Sequence, residues 1–282
     1  MRQKRQKAAP SKRVQPSRSL GMRPPLNRMR DLILDAAEAA GKVLRRHYRS
    51  KLRISEKPGA GLVTNADFEA QDAVVKILRK GIPQFGFLTE EAKPEQAQCP
   101  GRWIIDPLDG TTNFVHGFPM FCVSIAAEWD GEIVAGTIYH PILDESYLAL
   151  KGKGATRNGR KIQTSSTSKI KNSLLTTGFT YQKEKLLHKE MNAFEKLSGV
   201  ARAVRRPGSA ALDLAYTAAG VFDAFWERNL SPWDVAAGSL IVQEAGGKVT
   251  NFRGEPFHLE DRTLLASNST LHAALLHEVG EK

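Results

Sequence analysis

The sequence is poor in cysteine and has no long apolar run. Its 282 residues include two cysteines, Cys99 and Cys122, too few for a disulfide framework, which favours a reducing compartment. No apolar stretch approaches the roughly 18 residues that span a membrane, and the N-terminus lacks the apolar segment of a secretory signal. We therefore predict a cytoplasmic protein with no membrane-spanning segment.

Acidic residues are missing from the first part of the chain. Residues 1–30 hold ten Lys or Arg and no Asp or Glu, whereas the rest of the chain holds 31 basic and 30 acidic residues. The formal charge of +11 therefore comes almost entirely from the N-terminal segment. The folded body is close to neutral, so its charge gives no reason to predict a nucleic-acid-binding surface there.

Residues 1–27 contain four prolines and few large apolar side chains. Such a segment buries too little apolar surface to offset the entropy lost on ordering, so we predict a disordered basic tail. Three interpretations remain open. The first is a solvated tail, or an over-long reading frame with its start at Met22 or Met29. The second is an arm, through residues 1–30, that binds RNA or another polyanion. The third is an organellar transit peptide, although its prolines oppose an amphipathic helix.

The rest of the chain shows two patterns of predicted elements. The first part has helical periodicity followed by strands, including a half-buried strand over 121–129. Beyond residue 165, short strands alternate with helices. Strands are predicted at 85–88, 103–105, 121–129, 133–139, 146–150, 174–177, 224–226, 248–250 and 264–267. Helices are predicted at 30–50, from 67, and at 183–197, 210–219, 233–245 and 271–279. We predict an α/β protein with an α+β lobe over 28–165 and an α/β lobe over 166–282.

A pair of carboxylates follows the apolar strand predicted at 103–105. Asp106 and Asp109 would hold a hard cation through oxygen, and the helix start predicted after them would offer backbone N–H groups to an anion. The alternative is a turn, since Asp109-Gly110 is a common turn pair. The strand would bring Asp106 to the edge of the core, where an unpaired charge is costly, and this favours a metal site. Metal beside phosphate is the arrangement needed for phosphoryl transfer to water.

Other acidic residues have structural explanations of their own. Glu90 follows the strand predicted at 85–88, but without the pair Asp106 and Asp109 it would be an ordinary surface acid. Asp67 and Asp234 each lie three residues after a Thr or Ser, a helix-capping pattern that does not exclude metal binding. Ser209, after Gly208, is either a helix N-cap or part of a close approach to a ligand, and the residues alone do not decide.

Three sequence blocks together resemble the inositol monophosphatase family. They are Asp-Pro-Leu-Asp-Gly-Thr-Thr-Asn-Phe at 106–114, Trp-Asp-Val-Ala-Ala-Gly at 233–238 and Glu-Ala-Gly-Gly at 244–247. Further family blocks at 63–67, 89–91 and 208–211 occur in the expected order. The resemblance covers residues 29–279, with features of bacterial members at 114–119 and 177–179. It implies a layered αβαβα sugar-phosphatase fold, a homodimer and sensitivity to lithium.

The resemblance also implies roles for individual residues. Two or three Mg²⁺ ions would be held by one backbone carbonyl, that of Leu108, and by the side chains of four acids: Glu90, Asp106, Asp109 and Asp234. Asp67, Glu90 and Thr111 would orient the attacking water, with Asp67 and Thr111 helping to deprotonate it. The substrate would be bound by these groups and others: Glu90, Leu108, Asp109, Gly110, Thr111, Ala210, Glu227 and Asp234.

The implied activity is Mg²⁺-dependent hydrolysis of inositol-1-phosphate to myo-inositol and phosphate, by in-line attack of water. Phe179 stands where animal members that use inositol phosphates often have serine, which weakens the assignment of inositol. The same chemistry on fructose 1,6-bisphosphate, histidinol phosphate, NADP or 3′-phosphoadenosine 5′-phosphate remains an alternative. A function of another class is RNA or protein binding through the basic tail.

Overall fold

The computed structural model describes residues 22–57, 61–179 and 187–280. Residues 1–21, most of the predicted tail, lie outside this part. The first helix begins at Leu26, within the last residues assigned to the tail and four residues before the predicted start. In the described ranges, no helix combines the length and apolar character needed to cross a bilayer.

The described residues of the first half of the chain form three helices and nine strands. The helices are α1 (Leu26–His47), α2 (Asn65–Gly81) and α3 (Thr111–Val115). The strands are β1 (Ile54–Lys57), β2 (Gly61–Thr64), β3 (Gly86–Thr89), β4 (Gly101–Asp109), β5 (Cys122–Trp129), β6 (Glu132–His140), β7 (Glu145–Leu150), β8 (Ala155–Arg157) and β9 (Arg160–Lys161). The β1–β2 hairpin was not predicted, because it is short and largely polar.

The second half alternates strands and helices, as predicted. A short 3₁₀ turn (Ile170–Asn172) leads into it. The strands are β10 (Leu174–Thr177), β11 (Ala203–Arg205), β12 (Ala224–Arg228), β13 (Gly247–Thr250) and β14 (Thr263–Asn268). The helices are α4 (Leu187–Val200), α5 (Ala210–Ala218), α6 (Pro232–Glu244) and α7 (His272–Val279). Among the described strands and α-helices of this half, β11 alone lacks a predicted counterpart. Residues 183–186 of the predicted fourth helix lie outside the described residues.

Two large sheets organise these elements. The seven-stranded sheet has the order β3-β4-β5-β6-β7-β8-β9, with β3 parallel to β4 and the other pairs antiparallel. The five-stranded sheet has the order β11-β10-β12-β14-β13, with β10 parallel to both its neighbours. Their strands lie on opposite sides of residue 165, and the division of the chain into lobes there stays a prediction.

Helices cover both faces of both sheets. In β5, Val123, Ile125 and Ala127 pack toward α1 and α2, whereas Cys122 and Ala126 pack toward α5 and α6. The five-stranded sheet receives α5 and α6 on one face, through Phe225 among others, and α4 and α7 on the other. This arrangement is the five-layer αβαβα fold. The prediction of a half-buried β5 was wrong, because the second half of the chain covers the face that would otherwise meet water.

Candidate active site

The ends of several elements meet around one cleft of about 260 Å³. The end of β4, the start of α3, the first turns of α5 and α6 and the end of β12 all reach it. Every residue predicted to bind metal or substrate lines this cleft: Glu90, Asp106, Leu108, Asp109, Gly110, Thr111, Ala210, Glu227 and Asp234. Asp67 lies behind this surface and contacts Thr111.

Strand β4 does not end before its carboxylates but runs through Asp109. Its register against β5 shifts between Asp106, opposite Ser124, and Asp109, opposite Cys122. Residues three apart on a regular strand point to opposite faces, and one extra residue in a bulge restores the same face. The bulge therefore explains how a spacing of three brings both carboxylates to one cleft.

Two donors from the start of α5 hold Asp109. Its Oδ2 accepts hydrogen bonds from Ser209 Oγ at 2.6 Å and from the Ala211 N–H at 2.8 Å. Burial raises the pKa of Asp109 to about 6, although these hydrogen bonds lower it. Burial raises the pKa of Asp106 well above its usual value, and the charges of Glu90, Asp109 and Asp234 raise it further. Acidic groups are thus concentrated at the floor of the cleft, where burial and mutual repulsion disfavour their ionisation.

Asp67 and Thr111 form a hydrogen-bonded pair beside these acids. Asp67 Oδ2 accepts from the Thr64 N–H at 2.8 Å and from Thr64 Oγ1 at 2.7 Å. Thr111 Oγ1 lies 3.2 Å from Asp67 Oδ1 and 3.0 Å from the Leu108 carbonyl oxygen, and its single proton can serve only one of them fully. Burial raises the pKa of Asp67, which makes this carboxylate a better proton acceptor.

Asp234 both caps a helix and faces the cleft. The Ser231 N–H donates to Asp234 Oδ2 at 2.7 Å, and Pro232 occupies the first turn of α6. Burial, followed by the charge of Asp109, raises the pKa of Asp234 well above its usual value. The two interpretations of this residue from sequence are therefore compatible in one conformation.

Lys57 is a residue of the cleft that sequence reasoning missed. Its Nζ lies 2.8 Å from Glu90 Oε1 and 2.5 Å from Glu91 Oε1. Burial lowers the pKa of Lys57, but the two glutamates outweigh this effect and the pKa is raised. Burial raises the pKa of Glu91 to about 7, although Lys57 lowers it. No local pattern marks Lys57, because it reaches the acids only through the unpredicted β1–β2 hairpin.

The side of the cleft opposite β4 is formed by Glu227 and its neighbours. A Cβ atom on Gly178 would lie 2.0 Å from Glu227 Oε2, so this carboxylate rests directly on the glycine backbone. Burial raises the pKa of Glu227 well above its usual value, although Arg206 lowers it. Asp213, also missed from sequence, is 1% exposed and lines the same cleft. Burial and then the charge of Glu227 raise its pKa well above the usual value.

The donor set fits a hard divalent cation in its chemistry. Asp106, Asp109, Asp234 and Glu90 offer only oxygen, and a cation would relieve the repulsion among acids buried side by side. In the described ranges, no group of three or more His, Cys, Asp or Glu side chains is already arranged around a single metal position. Glu90, for one, is directed to Lys57.

Comparison with known proteins gives one consistent result. A model of the inositol monophosphatase family matches residues 26–282. A Pseudomonas aeruginosa protein named Nus factor SuhB is 40% identical over 262 residues, covering 90% of this chain and 95% of that protein. An inositol-1-monophosphatase of Mesorhizobium japonicum is 41% identical over 256 residues, covering 88% of this chain and 95% of that protein.

Solved structures show the same fold. The extragenic suppressor protein suhB of Bartonella henselae superposes with a TM-score of 0.86 at 39% identity, covering 89% of this chain and 98% of that one. The inositol monophosphatase of Anabaena superposes with a TM-score of 0.79 at 39% identity, covering 90% and 96% of the two chains. The family match over residues 26–282 includes the strands of both sheets and the described elements that line the cleft. This chain is therefore a phosphatase that belongs to the inositol monophosphatase family.

Proposed function

We propose that the cleft hydrolyses a small phosphate monoester with Mg²⁺, and that inositol-1-phosphate is its substrate. The observation that carries the proposal is the convergence of Glu90, Asp106, Asp109 and Asp234 on one cleft, which also holds the backbone of Gly110 and Thr111. The family is generally metal-dependent, and relatives at about 40% identity carry the name inositol-1-monophosphatase.

The metal ligands would be the four acids and the Leu108 carbonyl, holding two or three Mg²⁺. When bound, Mg²⁺ would neutralise the phosphate oxygens, acidify water and stabilise the leaving alkoxide. The Gly110 and Thr111 amides would hold the phosphate. Gly110 has a φ of +92°, and a Cβ there would lie 2.8 Å from the Met120 carbonyl oxygen, so this backbone requires glycine.

The proton of the attacking water would pass to the pair formed by Thr111 and Asp67. Thr111 Oγ1 faces the cleft and lies within hydrogen-bond distance of Asp67 Oδ1. Glu90 would help to orient the same water. Direct, in-line attack by water is proposed, and two side chains beside Asp109 are poorly suited to act as nucleophiles instead. Cys122 is fully buried with a raised pKa, and Ser209 donates its proton to Asp109.

The leaving alcohol would meet Glu227 and the backbone of Ala210 on the other side of the cleft. Carboxylate and amide groups suit a polyol, which supports inositol. The other phosphate esters named above stay alternatives, because the acids at the floor recognise only the phosphate.

A phosphate-release assay tests the proposal. We expect Mg²⁺-dependent release from a panel of phosphate esters, with inositol-1-phosphate giving the highest kcat/KM. Asp109→Asn should abolish hydrolysis and leave the unfolding midpoint unchanged or higher, since it removes one of several crowded charges. Asp130→Asn is the matched control, because Asp130 lies in an exposed turn at a φ of +54°, a conformation that Asn accepts. Near wild-type turnover of Asp109→Asn would contradict the metal assignment.

A second candidate function is suggested by relatives that carry the name Nus factor SuhB, at 37–40% identity. The basic residues 1–21 lie outside the described residues, and an RNA-binding role for them remains a proposal. Deletion of residues 1–21 should abolish salt-sensitive RNA retention and leave phosphatase activity unchanged. Full-length protein that fails to bind RNA at low salt would remove this candidate. The homodimer, lithium sensitivity and cytoplasmic location likewise remain proposals.

A further inference from the structure

Asp109 is held by a helix that begins about a hundred residues later in the chain. Ser209 Oγ donates to Asp109 Oδ2 at 2.6 Å, and the Ala211 N–H donates to the same oxygen at 2.8 Å. Both donors belong to the start of α5, which lies between the two sheets. The orientation of this carboxylate is thus determined by tertiary structure and not by β4 alone.

Ser209 makes two different hydrogen bonds with its one hydroxyl. It donates its proton to Asp109, and it accepts from the Leu212 N–H at 3.4 Å, which makes it the N-cap of α5. The side chain is 1% exposed, so water does not compete for either bond. Cys122 Sγ lies 3.6 Å from Ser209 Oγ and 3.8 Å from Asp109 Oδ2, as a weaker neighbour on the β5 side.

We propose that Ser209 is a positioning residue for metal binding: it holds Asp109 so that Oδ2 faces α5 and Oδ1 faces the cleft. The inference rests on the proposed function. Since Oδ2 already accepts two strong hydrogen bonds, Asp109 offers the cation a single oxygen, Oδ1. Without the hydroxyl, the carboxylate can rotate, and ordering it on metal binding then costs conformational entropy, which lowers the affinity for the metal. Residues that orient metal ligands typically change metal affinity by about 10- to 100-fold.

The competing explanation is that Ser209 serves only as a helix cap. Two substitutions separate the explanations, because both remove the donor but they differ in capping. Alanine is a poor N-cap and lowers helix stability, whereas glycine caps a helix nearly as well as serine. Threonine can both donate and accept, and so preserves both functions.

The test is calorimetric titration of the full-length protein with Mg²⁺, together with thermal unfolding of each variant. We expect Ser209→Ala and Ser209→Gly to weaken Mg²⁺ binding equally, by about 10- to 100-fold, and Ser209→Thr to bind like wild type. Kinetically, the Mg²⁺ concentration for half-maximal activity should rise with little change in kcat at saturating Mg²⁺. Ser239→Ala is the control, since Ser239 is a buried serine whose hydroxyl donates to a carbonyl within α6.

Other outcomes would overturn the inference. If Ser209→Gly binds Mg²⁺ like wild type, the donor has no role, whether or not Ser209→Ala is weaker. If Ser239→Ala weakens binding as much as Ser209→Ala, the effect is a general consequence of lost buried hydroxyls. A wild-type protein that binds no Mg²⁺ and releases no phosphate would instead contradict the proposed function itself.

Discussion

At the scale of single residues, four acids use their two carboxylate oxygens differently: Asp67 behind the cleft, and Asp106, Asp109 and Asp234 in it. In each, one oxygen accepts a hydrogen bond from a nearby donor, and the other is left for a ligand or another side chain. The donors are Thr64 to Asp67, the Leu108 N–H to Asp106, Ser209 to Asp109 and the Ser231 N–H to Asp234. These bonds restrict the carboxylates before any ligand arrives, and such preorganisation is what electrostatic catalysis requires.

Gly178 should control substrate binding through Glu227. A methyl group at Gly178 would lie 2.0 Å from Glu227 Oε2 and 2.3 Å from its Cδ, so Gly178→Ala must displace the carboxylate. We expect KM for inositol-1-phosphate to rise by about tenfold, the equivalent of one lost hydrogen bond to a charged group. The kcat/KM for p-nitrophenyl phosphate, which lacks the polyol, should change little.

The matched control for Gly178→Ala is Gly199→Ala. Gly199 lies in α4 with no atom within 4 Å of a built Cβ, so the added methyl group meets open space. Steady-state kinetics of the two variants with both substrates would show whether the effect is local. An unchanged KM for inositol-1-phosphate in Gly178→Ala would contradict the role given to Glu227.

His272 should make stability depend on pH away from the cleft. Its Nδ1 lies 2.8 Å from Ser267 Oγ and its Nε2 2.9 Å from Thr250 Oγ1, and burial lowers its pKa to about 4. The folded pKa of His272 is below the unfolded value of about 6.5, so the unfolded state takes up a proton first as pH falls. The stability of the fold is therefore fully present above pH 6.5. The free energy of unfolding declines as pH falls toward 4, by on the order of 3 kcal/mol.

Urea unfolding at several pH values checks this prediction. His272→Gln should lower the free energy of unfolding at pH 7.5 and should flatten its decline between pH 6.5 and 4. His277→Gln is the control, since the His277 side chain is 77% exposed. Parallel curves for wild type and His272→Gln would show that His272 does not titrate in this way.

At the scale of elements, the first turns of helices position several side chains of the site. Both α2 and α6 begin with a Thr or Ser followed three residues later by an acid, and the structure shows that acid accepting a hydrogen bond from the cap backbone. The capping pattern was therefore a correct prediction at Asp67 and Asp234. It also explains why local sequence alone could not decide between capping and metal binding, because an acid that caps a helix with one oxygen keeps the other oxygen for a ligand.

Thr64 links the stability of α2 to catalysis. Thr64→Ala removes the hydroxyl that accepts from the Ala66 N–H at 3.0 Å and donates to Asp67. We expect a loss of about 1–2 kcal/mol in the free energy of unfolding, and a lower kcat because Asp67 is less well oriented toward Thr111. Chemical denaturation and steady-state kinetics measure the two effects. Thr64→Ser should restore both, and a Thr64→Ala variant with wild-type kcat would separate the cap from the reaction.

The strand that carries the acids was predicted too short. The strand expected at 103–105 is part of a nine-residue strand that continues through both carboxylates. Pro107 and the change of composition suggested an end, whereas pairing with β5 and a bulge allow the strand to continue. The pairing partner lies outside the local window, so the bulge was not visible in the sequence.

At the scale of the whole molecule, α5 and α6 join the two sheets. Gly136 of β6 lies against α6, and a Cβ there would be 2.9 Å from Ala237 Cα. A Cβ on Gly238 would be 2.5 Å from Leu214 Cδ1 of α5. These close approaches place the first turns of both helices beside β4, so the position of the acids depends on the packing of the middle layer.

Gly136→Val should therefore destabilise the molecule as a whole. Overpacking at this contact would force α6 away from the sheet, and we expect a loss of about 1–3 kcal/mol in the free energy of unfolding. Activity should fall even at temperatures where the variant is folded, because Asp234 moves with α6. Glu132→Ala, at the exposed start of the same strand, should change stability by less than about 0.5 kcal/mol. A fully active and stable Gly136→Val variant would contradict this view of the middle layer.

The amino-acid sequence by itself determined the family, the fold class and most of the acids that line the cleft, although not Asp213. Side-chain chemistry, capping patterns and ordered motifs are local features, so they can be recognised in the sequence without knowledge of the fold. Only the tertiary structure decided which oxygen of each acid accepts a hydrogen bond, that the Lys57 side chain contacts Glu90, and that α5 and α6 cover one face of β5. These features depend on contacts such as Ser209 with Asp109 and Lys57 with Glu90, between residues far apart in the chain. Hydrophobic packing brings such residues together, and their separation in the sequence does not indicate that they are in contact.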